Sequence, residues 1–343
     1  MAELILYFVG SVFRLLLIQT GLFGLSERSE FASPINSFKR LKEGVVLLQS
    51  GQDPYAGVLF HETPIILHVF RFLLENCNDI WINLIFVGCE LLTAWLLGKV
   101  AHLVTIWLID NQTQSLKDYH DDAKRELLLK EEDLSSMSSN VQVCLSRFSE
   151  KKSLMVYPKV FAKYSALPFQ IAYLMHPYLI GSCAARTTSV FSNMFFALFL
   201  LMCMKRKLTW ACLFLAVCAY QSVYPIMLIV PLVLICRRQE TGQPLITTAL
   251  RASLTTLAFM FLLCYASYLL MNSSWTYTQS TWGFILSVPE LTPNMGLFWY
   301  FFTEMFEHFR VFFVCTFQIN CFVFVIPLGA KLQHQVSNIC SCS

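Results

Sequence analysis

Charge is scarce in this chain: Asp, Glu, Lys and Arg make up 14% of its 343 residues, against about 25% in an ordinary soluble domain. With 56% of residues apolar and 30 phenylalanines, most of the surface is expected against lipid or other helices rather than water. Net charge is only +3, and no basic cluster is interleaved with an exposed aromatic platform. Nucleic acid therefore drops out as a partner. Paired cysteines are missing too. The chain holds 13 cysteines but no CxxC, and Cys89, Cys212, Cys218, Cys264, Cys315 and Cys321 sit in apolar runs, where thiols pack as small core groups. No P-loop, Gly-rich nucleotide fingerprint or Ser/His/Asp order is present. His61-Glu62-Thr63-Pro64 stops short of a zinc-protease helix, because Ile65 stands where the second histidine belongs and Pro64 interrupts the helix. Neither metal nor cofactor is expected.

What is present is a succession of apolar runs. Residues 1–25 read as an uncleaved signal-anchor span, with no basic n-region and no small-residue cleavage site before Ser26. Arg14, in its middle, must face another helix or a cavity. Residues 26–79 form a luminal loop. Within it Phe38, Leu41, Val45 and Leu48 recur at helical spacing, and Thr63–Leu74, opening at Pro64, is too short to cross ~30 Å of hydrocarbon. Both are expected as amphipathic or interfacial helices. Residues 80–109 make one tilted span interrupted by Glu90, Lys99 and His102. Residues 110–165 form a charged cytosolic loop, since Asp110–Lys163 carries 18 of the chain's 47 charges. A charged helical start there gives way to a weakly patterned, Ser-rich Asp133–Ser153.

Residues 166–332 make a multi-span domain from the runs Ala166–Cys183, Thr187–Met204, Leu208–Tyr220, Tyr224–Ile235, Ile246–Met271 and Gly296–Leu328. The positive-inside rule wants both Lys205-Arg206-Lys207 and Arg237-Arg238 on the cytosolic side, so the stretch between them must turn back. Gln221-Ser222-Val223-Tyr224-Pro225 and Pro231 supply the break, giving a broken helix pair. The expected fold class is an all-α polytopic membrane protein of about 8 spans, with a cytosolic N-terminus and luminal Ser26–Asp79 and Asn272–Asn294. Neither sequon, at Asn111 or Asn272, is expected to carry glycan. Residues 333–343 form a polar tail whose Cys340 lacks the aliphatic neighbours that prenylation needs, leaving palmitoylation of Cys340 or Cys342 as the alternative.

Candidate ligand contacts fall in Gly283–Leu328. A polar entry, Ser287 to Asn294, leads into Leu297-Phe298-Trp299-Tyr300-Phe301-Phe302, followed by Glu304, Glu307, His308 and Arg310. The spacing of Glu304, Glu307 and His308 predicts one shared helix face. Two readings stay open: a polar cluster that satisfies itself, or a cavity for a lipid head group bearing glycan and phosphate. The neighbouring aromatics would lie along acyl chains or form an interfacial belt.

Several stretches resemble the PIG-U family, the class U subunit of the glycosylphosphatidylinositol (GPI) transamidase. They are Asp53-Pro54-Tyr55-Ala56-Gly57 running into Phe60-His61-Glu62-Thr63-Pro64, His176-Pro177-Tyr178, Tyr220-Gln221-Ser222 through Tyr224-Pro225, and the long segment Gly283 to Asn320. The resemblance extends to about Leu332 and sets Gln333–Ser343 apart, which implies a C-terminally shortened member with fewer spans than the family. It implies a fold like that of GT-C type glycosyltransferases, residence in the endoplasmic reticulum membrane, and a non-catalytic role in attaching GPI anchors to proteins. Its implied partners are the other transamidase subunits, including the caspase-like catalytic subunit, and the GPI glycolipid. On this reading Asn294, Glu304, His308 and Arg310 meet the polar head, and Phe301, Phe302 and Phe312 line the lipid side. The alternative is a lipid-linked, dolichol-phosphate-dependent mannosyltransferase with Glu27, Glu30 or Asp53 as base.

Overall fold

The computed structural model describes residues 2–28, 30–131, 166–237, 245–287, 297–325, 327 and 329. Asn294, the Ser-rich segment Asp133–Ser153 and the 333–343 tail with Cys340 and Cys342 lie outside the described residues. Those described are helical with connecting turns, and no strand occurs among them.

Helix α1 (Ala2–Thr20) ends where Gly21 adopts φ 56°, and a 3-10 turn, Leu22–Glu27, carries the chain out of it. Two short amphipathic helices follow. In α2 (Phe38–Gln49) the expected periodic residues Phe38, Leu41 and Val45 are buried. Helix α3 (Pro64–Asn76) starts with proline at its first position, where the missing N–H would be unpaired anyway. Gly44 lets α2 pass under Phe60, since a Cβ there would stand 2.7 Å from the Phe60 ring.

Helix α4 (Asp79–Glu131) runs unbroken through the apolar stretch and on into the charged one, 53 residues in all. The expected span and the helical start of the charged loop are thus one element. Phe86 of α4 meets Phe38 of α2, Phe70 of α3 and Phe191, with ring centroids 5.6, 6.0 and 5.2 Å apart. Such contacts contribute about 0.5–1.5 kcal/mol each beyond area burial, and this knot fixes the short helices to the bundle.

The run Ala166–Cys183, expected as one membrane pass, is not one helix but two: α5 (Ala166–Leu174) and α6 (Pro177–Ala184). Proline disfavours helical backbone in the residue before it, and His176 is extended at φ −67°, ψ 118°. Gly98 of α4 admits α5 closely, because a Cβ would overlap the Gln170 side chain.

Helices α7 (Ser189–Met204) and α8 (Leu208–Gln221) form an antiparallel pair, followed by a 3-10 turn, Tyr224–Leu228, then α9 (Ile229–Arg237) and α10 (Leu245–Leu270). The expected break after Gln221 is present. Helix α4 packs against α5 on one side and α7 on the other, α7 packs on α8, and α10 packs on both α8 and α9. Cys203, Cys212, Cys236 and Ala252 pack together at one end of this layer, whereas Tyr220 bonds Ser267 at the other. Helices consecutive in sequence therefore alternate in direction, and α8 and α10, which meet start to start and end to end, run parallel.

The run Gly296–Leu328 is divided as well, into α11 (Leu297–Glu304) and α12 (Glu307–Val323), because Phe306 is extended at ψ 136°. Glu304 therefore does not share a helix face with Glu307 and His308, contrary to the spacing argument.

Among the described residues, two helical stretches, Asp79–Trp107 and Leu245–Leu270, are long and apolar enough to cross a membrane. Helix α10 turns Ile246, Leu250, Leu254, Leu257, Phe261 and Leu262 outward. An apolar helix facing away from its neighbours suits acyl chains, not water.

Candidate functional site

The loop from Asp53 to Pro64 builds the most polar buried region described. Asp53 closes its turn by accepting the Tyr55 N–H at 2.9 Å, and its second oxygen accepts the Thr276 hydroxyl at 3.3 Å. A carboxylate engaged this way shapes a loop. Tyr55 is buried, donates its hydroxyl to the Glu62 carbonyl at 2.8 Å, and accepts the Ser280 hydroxyl on its own carbonyl at 3.2 Å. His61 approaches the Ser280 carbonyl at 2.8 Å through Nδ1, so that nitrogen carries the proton; its ring stacks on Phe284 at 3.6 Å. Glu62 receives the Thr188 hydroxyl across 126 residues of sequence, and the backbone N–H of Thr63 also points to it. Burial pushes its carboxyl up to about 7, with both hydrogen bonds opposing the shift. The Tyr55 phenol rises above its ordinary value through burial first, then through the nearby Tyr220 and Glu62.

Helix ends converge around this loop. The N–H of Thr188, at the start of α7, donates to the Asn36 carbonyl at 3.1 Å. Ser192 of α7 donates to Gln221 at the end of α8 at 2.6 Å, and the Trp282 indole donates to the Tyr220 carbonyl at 3.0 Å. Tyr178 stacks on Phe31 with centroids 5.6 Å apart, beside Gly181, which leaves room for that ring. All four stretches that carry the family resemblance thus reach one end of the bundle. Sequence reasoning did not assemble Tyr55, Glu62, Thr188, Tyr220 and Ser280. The signal was those matching stretches, read together rather than singly.

A second polar feature lies within the bundle. Arg14 and Glu90 are both at 0% exposure. Arg14 donates to the Leu174 carbonyl at 3.0 Å and to the Gly10 carbonyl at 3.3 Å, joining α1 to α5, with Glu90 of α4 in its electrostatic reach. The mid-run arginine therefore meets other helices, one of the two alternatives left open for it. Removing either partner would strand a buried charge.

The α11–α12 hairpin is fastened to this body by Gln318, which accepts the Tyr224 hydroxyl at 2.8 Å and donates toward the Ile285 carbonyl at 3.4 Å. Phe302 is buried, and Phe301 packs on Phe313 and Phe317 at 5.2 and 6.0 Å. Glu304 and His308 are exposed and Arg310 is half-buried. His308 lies beside Phe306 and Phe309, at 5.9 and 4.1 Å, and Phe312 points outward at 63% exposure. The hairpin gathers these described residues on one pair of helices. Among the described residues, no group of three or more His, Cys, Asp or Glu side chains is placed to hold a metal ion.

The family described as GPI transamidase subunit PIG-U matches residues 8–342, a span that runs past Leu332 into the 333–343 tail. The human GPI-anchor transamidase component PIGU is 36% identical over 319 residues, covering 90% of this chain and 65% of that protein. The GPI transamidase component GAB1 of Saccharomyces cerevisiae is 26% identical over 314 residues, covering 91% of this chain and 63% of that protein. The GAB1 homologue of Schizosaccharomyces pombe is 25% identical over 318 residues, with 90% and 63% covered. The chain thus spans just under two thirds of the length of these relatives.

Proposed function

Because the chain belongs to the PIG-U family, we propose that it serves as a non-catalytic membrane subunit of the GPI transamidase, presenting the GPI lipid for attachment to proteins. The observation that carries this reading is similarity along 90% of the chain to a protein named as a transamidase component. In this proposal the chain crosses the endoplasmic reticulum membrane about 8 times in a GT-C type arrangement, with the Asp53–Pro64 junction on the luminal side. Its partners are the remaining transamidase subunits, among them the caspase-like catalytic one.

The chemistry of the junction supports a non-catalytic role. Asp53 is engaged in turn hydrogen bonds, His61 is fixed between Ser280 and Phe284, and Glu62 is covered by Thr188. A general base needs reach to a substrate proton; His61 and Glu62 are buried within the protein, and the exposed Asp53 has both its oxygens engaged by Tyr55 and Thr276.

The glycolipid contacts in this proposal are on the hairpin. Phe301 and Phe312 lie along acyl chains, with the buried Phe302 packed behind them, while Glu304, His308 and Arg310, together with Asn294 from the sequence before the hairpin, meet the polar head. Exposure of Glu304 and His308 beside an outward aromatic surface supports this division. A lipid head at the membrane boundary requires such a pairing of polar and apolar contacts.

Expression of the tagged chain in cells lacking their own PIG-U subunit tests the proposal. Recovery of the caspase-like subunit with the tag, together with return of GPI-anchored protein to the cell surface, is the expected result. Failure of the tagged, membrane-inserted chain to retain any transamidase subunit would overturn it.

A further inference from the structure

A cleft of about 300 Å³ opens between the end of α1, the start of α2 and the end of α6. One wall is apolar, formed by Leu17, Leu25 and Phe38; the other carries Lys39, Lys42 and Arg186. Three cations therefore share one small concavity. Lys42 Nζ lies 5.0 Å from the centroid of the Phe38 ring and the Arg186 guanidinium 5.5 Å from the same centroid. Lys39 stands one helical turn before Lys42, on the same side of α2. Lys42 also stands 4.0 Å from Asp79, in a pair whose side chains are 43% and 71% exposed. An exposed pair at that separation contributes little and leaves the lysine free to turn toward an anion.

The backbone keeps this space open. Gly21 and Gly24 both adopt φ 56°, and nothing lies within 4 Å of where a Cβ would project from either. Below the cleft, α1 turns Phe13 and Leu16 outward, so an apolar track leads from the cations down the outer face of that helix. If the chain has the topology proposed above, this basic group also lies on the side that the positive-inside bias tends to leave poor in cations. A fixed anion at the membrane boundary accounts for its position.

We propose that this cleft binds the phosphate head of an anionic diacyl phospholipid. Lys39, Lys42 and Arg186 hold the phosphate oxygens through charge-assisted hydrogen bonds, Leu17, Leu25 and Phe38 meet the glycerol and the first acyl carbons, and one chain follows Phe13 and Leu16. A free phosphate would use the cations but not the apolar wall. The site is separate from the α11–α12 hairpin and does not depend on transamidase membership.

The test uses the full chain in phosphatidylcholine nanodiscs containing a minor fraction of phosphatidylinositol with a diazirine on one acyl chain, followed by irradiation and peptide mapping. Labelling is expected on the α1 peptide ending at Leu25. It should fall about fivefold with Lys39→Gln and further with Lys39→Gln combined with Lys42→Gln, as expected for cations at a membrane surface. Ser26, exposed at the rim of the cleft, provides a variant that leaves charge unchanged: Ser26→Trp fills the space and should abolish the label. Size-exclusion profiles separate these effects from misfolding. Equal labelling by a phosphatidylcholine probe, displacement of the lipid by inorganic phosphate alone, or labelling indifferent to both Lys39→Gln and Ser26→Trp in monodisperse protein would each overturn the proposal.

Discussion

The junction around Glu62 and the α11–α12 hairpin are both rich in polar and aromatic side chains, yet they treat them in opposite ways. At the junction Glu62, His61 and Tyr55 are buried and turned onto neighbouring backbone and hydroxyl groups. On the hairpin Glu304, His308 and Phe312 face outward. Burial of a polar group is tolerated when its hydrogen bonds are satisfied inside the protein, which rigidifies the region. An exposed polar group among exposed aromatics adds little stability and remains free for a ligand. The first region holds the helix ends together, and the second offers a surface.

Substitutions should separate the two. Glu62→Ala removes the acceptor of the Thr188 hydroxyl and leaves a void, at a cost of about 3 kcal/mol. Thermal unfolding of the purified chain should show it as the largest loss of this series. Acidity offers a gentler probe of the same group. With its carboxyl at about 7 in the folded protein, above the usual 4.5, the folded state holds the proton more tightly than the unfolded chain. This contribution is complete below the unfolded value and is lost as pH rises through about 7. The melting temperature should therefore fall between about pH 5 and about pH 8 in the wild type, and Glu62→Gln should flatten that slope.

Gly44→Ala drives a methyl group into the Phe60 ring, where the gap is 2.7 Å. The expected cost is about 2 kcal/mol, read from denaturant or thermal unfolding. Tyr55→Phe deletes the hydrogen bond to the Glu62 carbonyl, for about 1 kcal/mol by the same measurement. On the hairpin, Glu304→Gln combined with Arg310→Gln should change stability least, by about 0.5 kcal/mol. Loss of stability as large as that of Glu62→Ala would erase the distinction between the regions.

Much of the architecture was legible in the sequence where local chemistry speaks directly. The spacing of Phe38, Leu41 and Val45 gave α2, Pro64 marked the start of α3, and the polar break before Pro225 divided the pair after α8. The split at Pro177 escaped because apolar residues continue on both sides of it, so hydropathy masks a backbone restriction. The split after Glu304 carries neither glycine nor proline, and local sequence offers no physical account of it. The junction was hidden for another reason. Glu62 and Thr188 are 126 residues apart, and Asp53 and Thr276 are 223 apart, distances over which periodicity carries no information.

The direct test of the division is photo-cross-linking of a GPI analogue to the chain within the transamidase complex proposed for it, run beside thermal unfolding for Glu62→Ala and for Glu304→Gln with Arg310→Gln. The account predicts that the hairpin variant keeps its melting temperature and its partners but loses the cross-link, while the junction variant loses stability first. Undiminished cross-linking of a stable, assembled hairpin variant would contradict it.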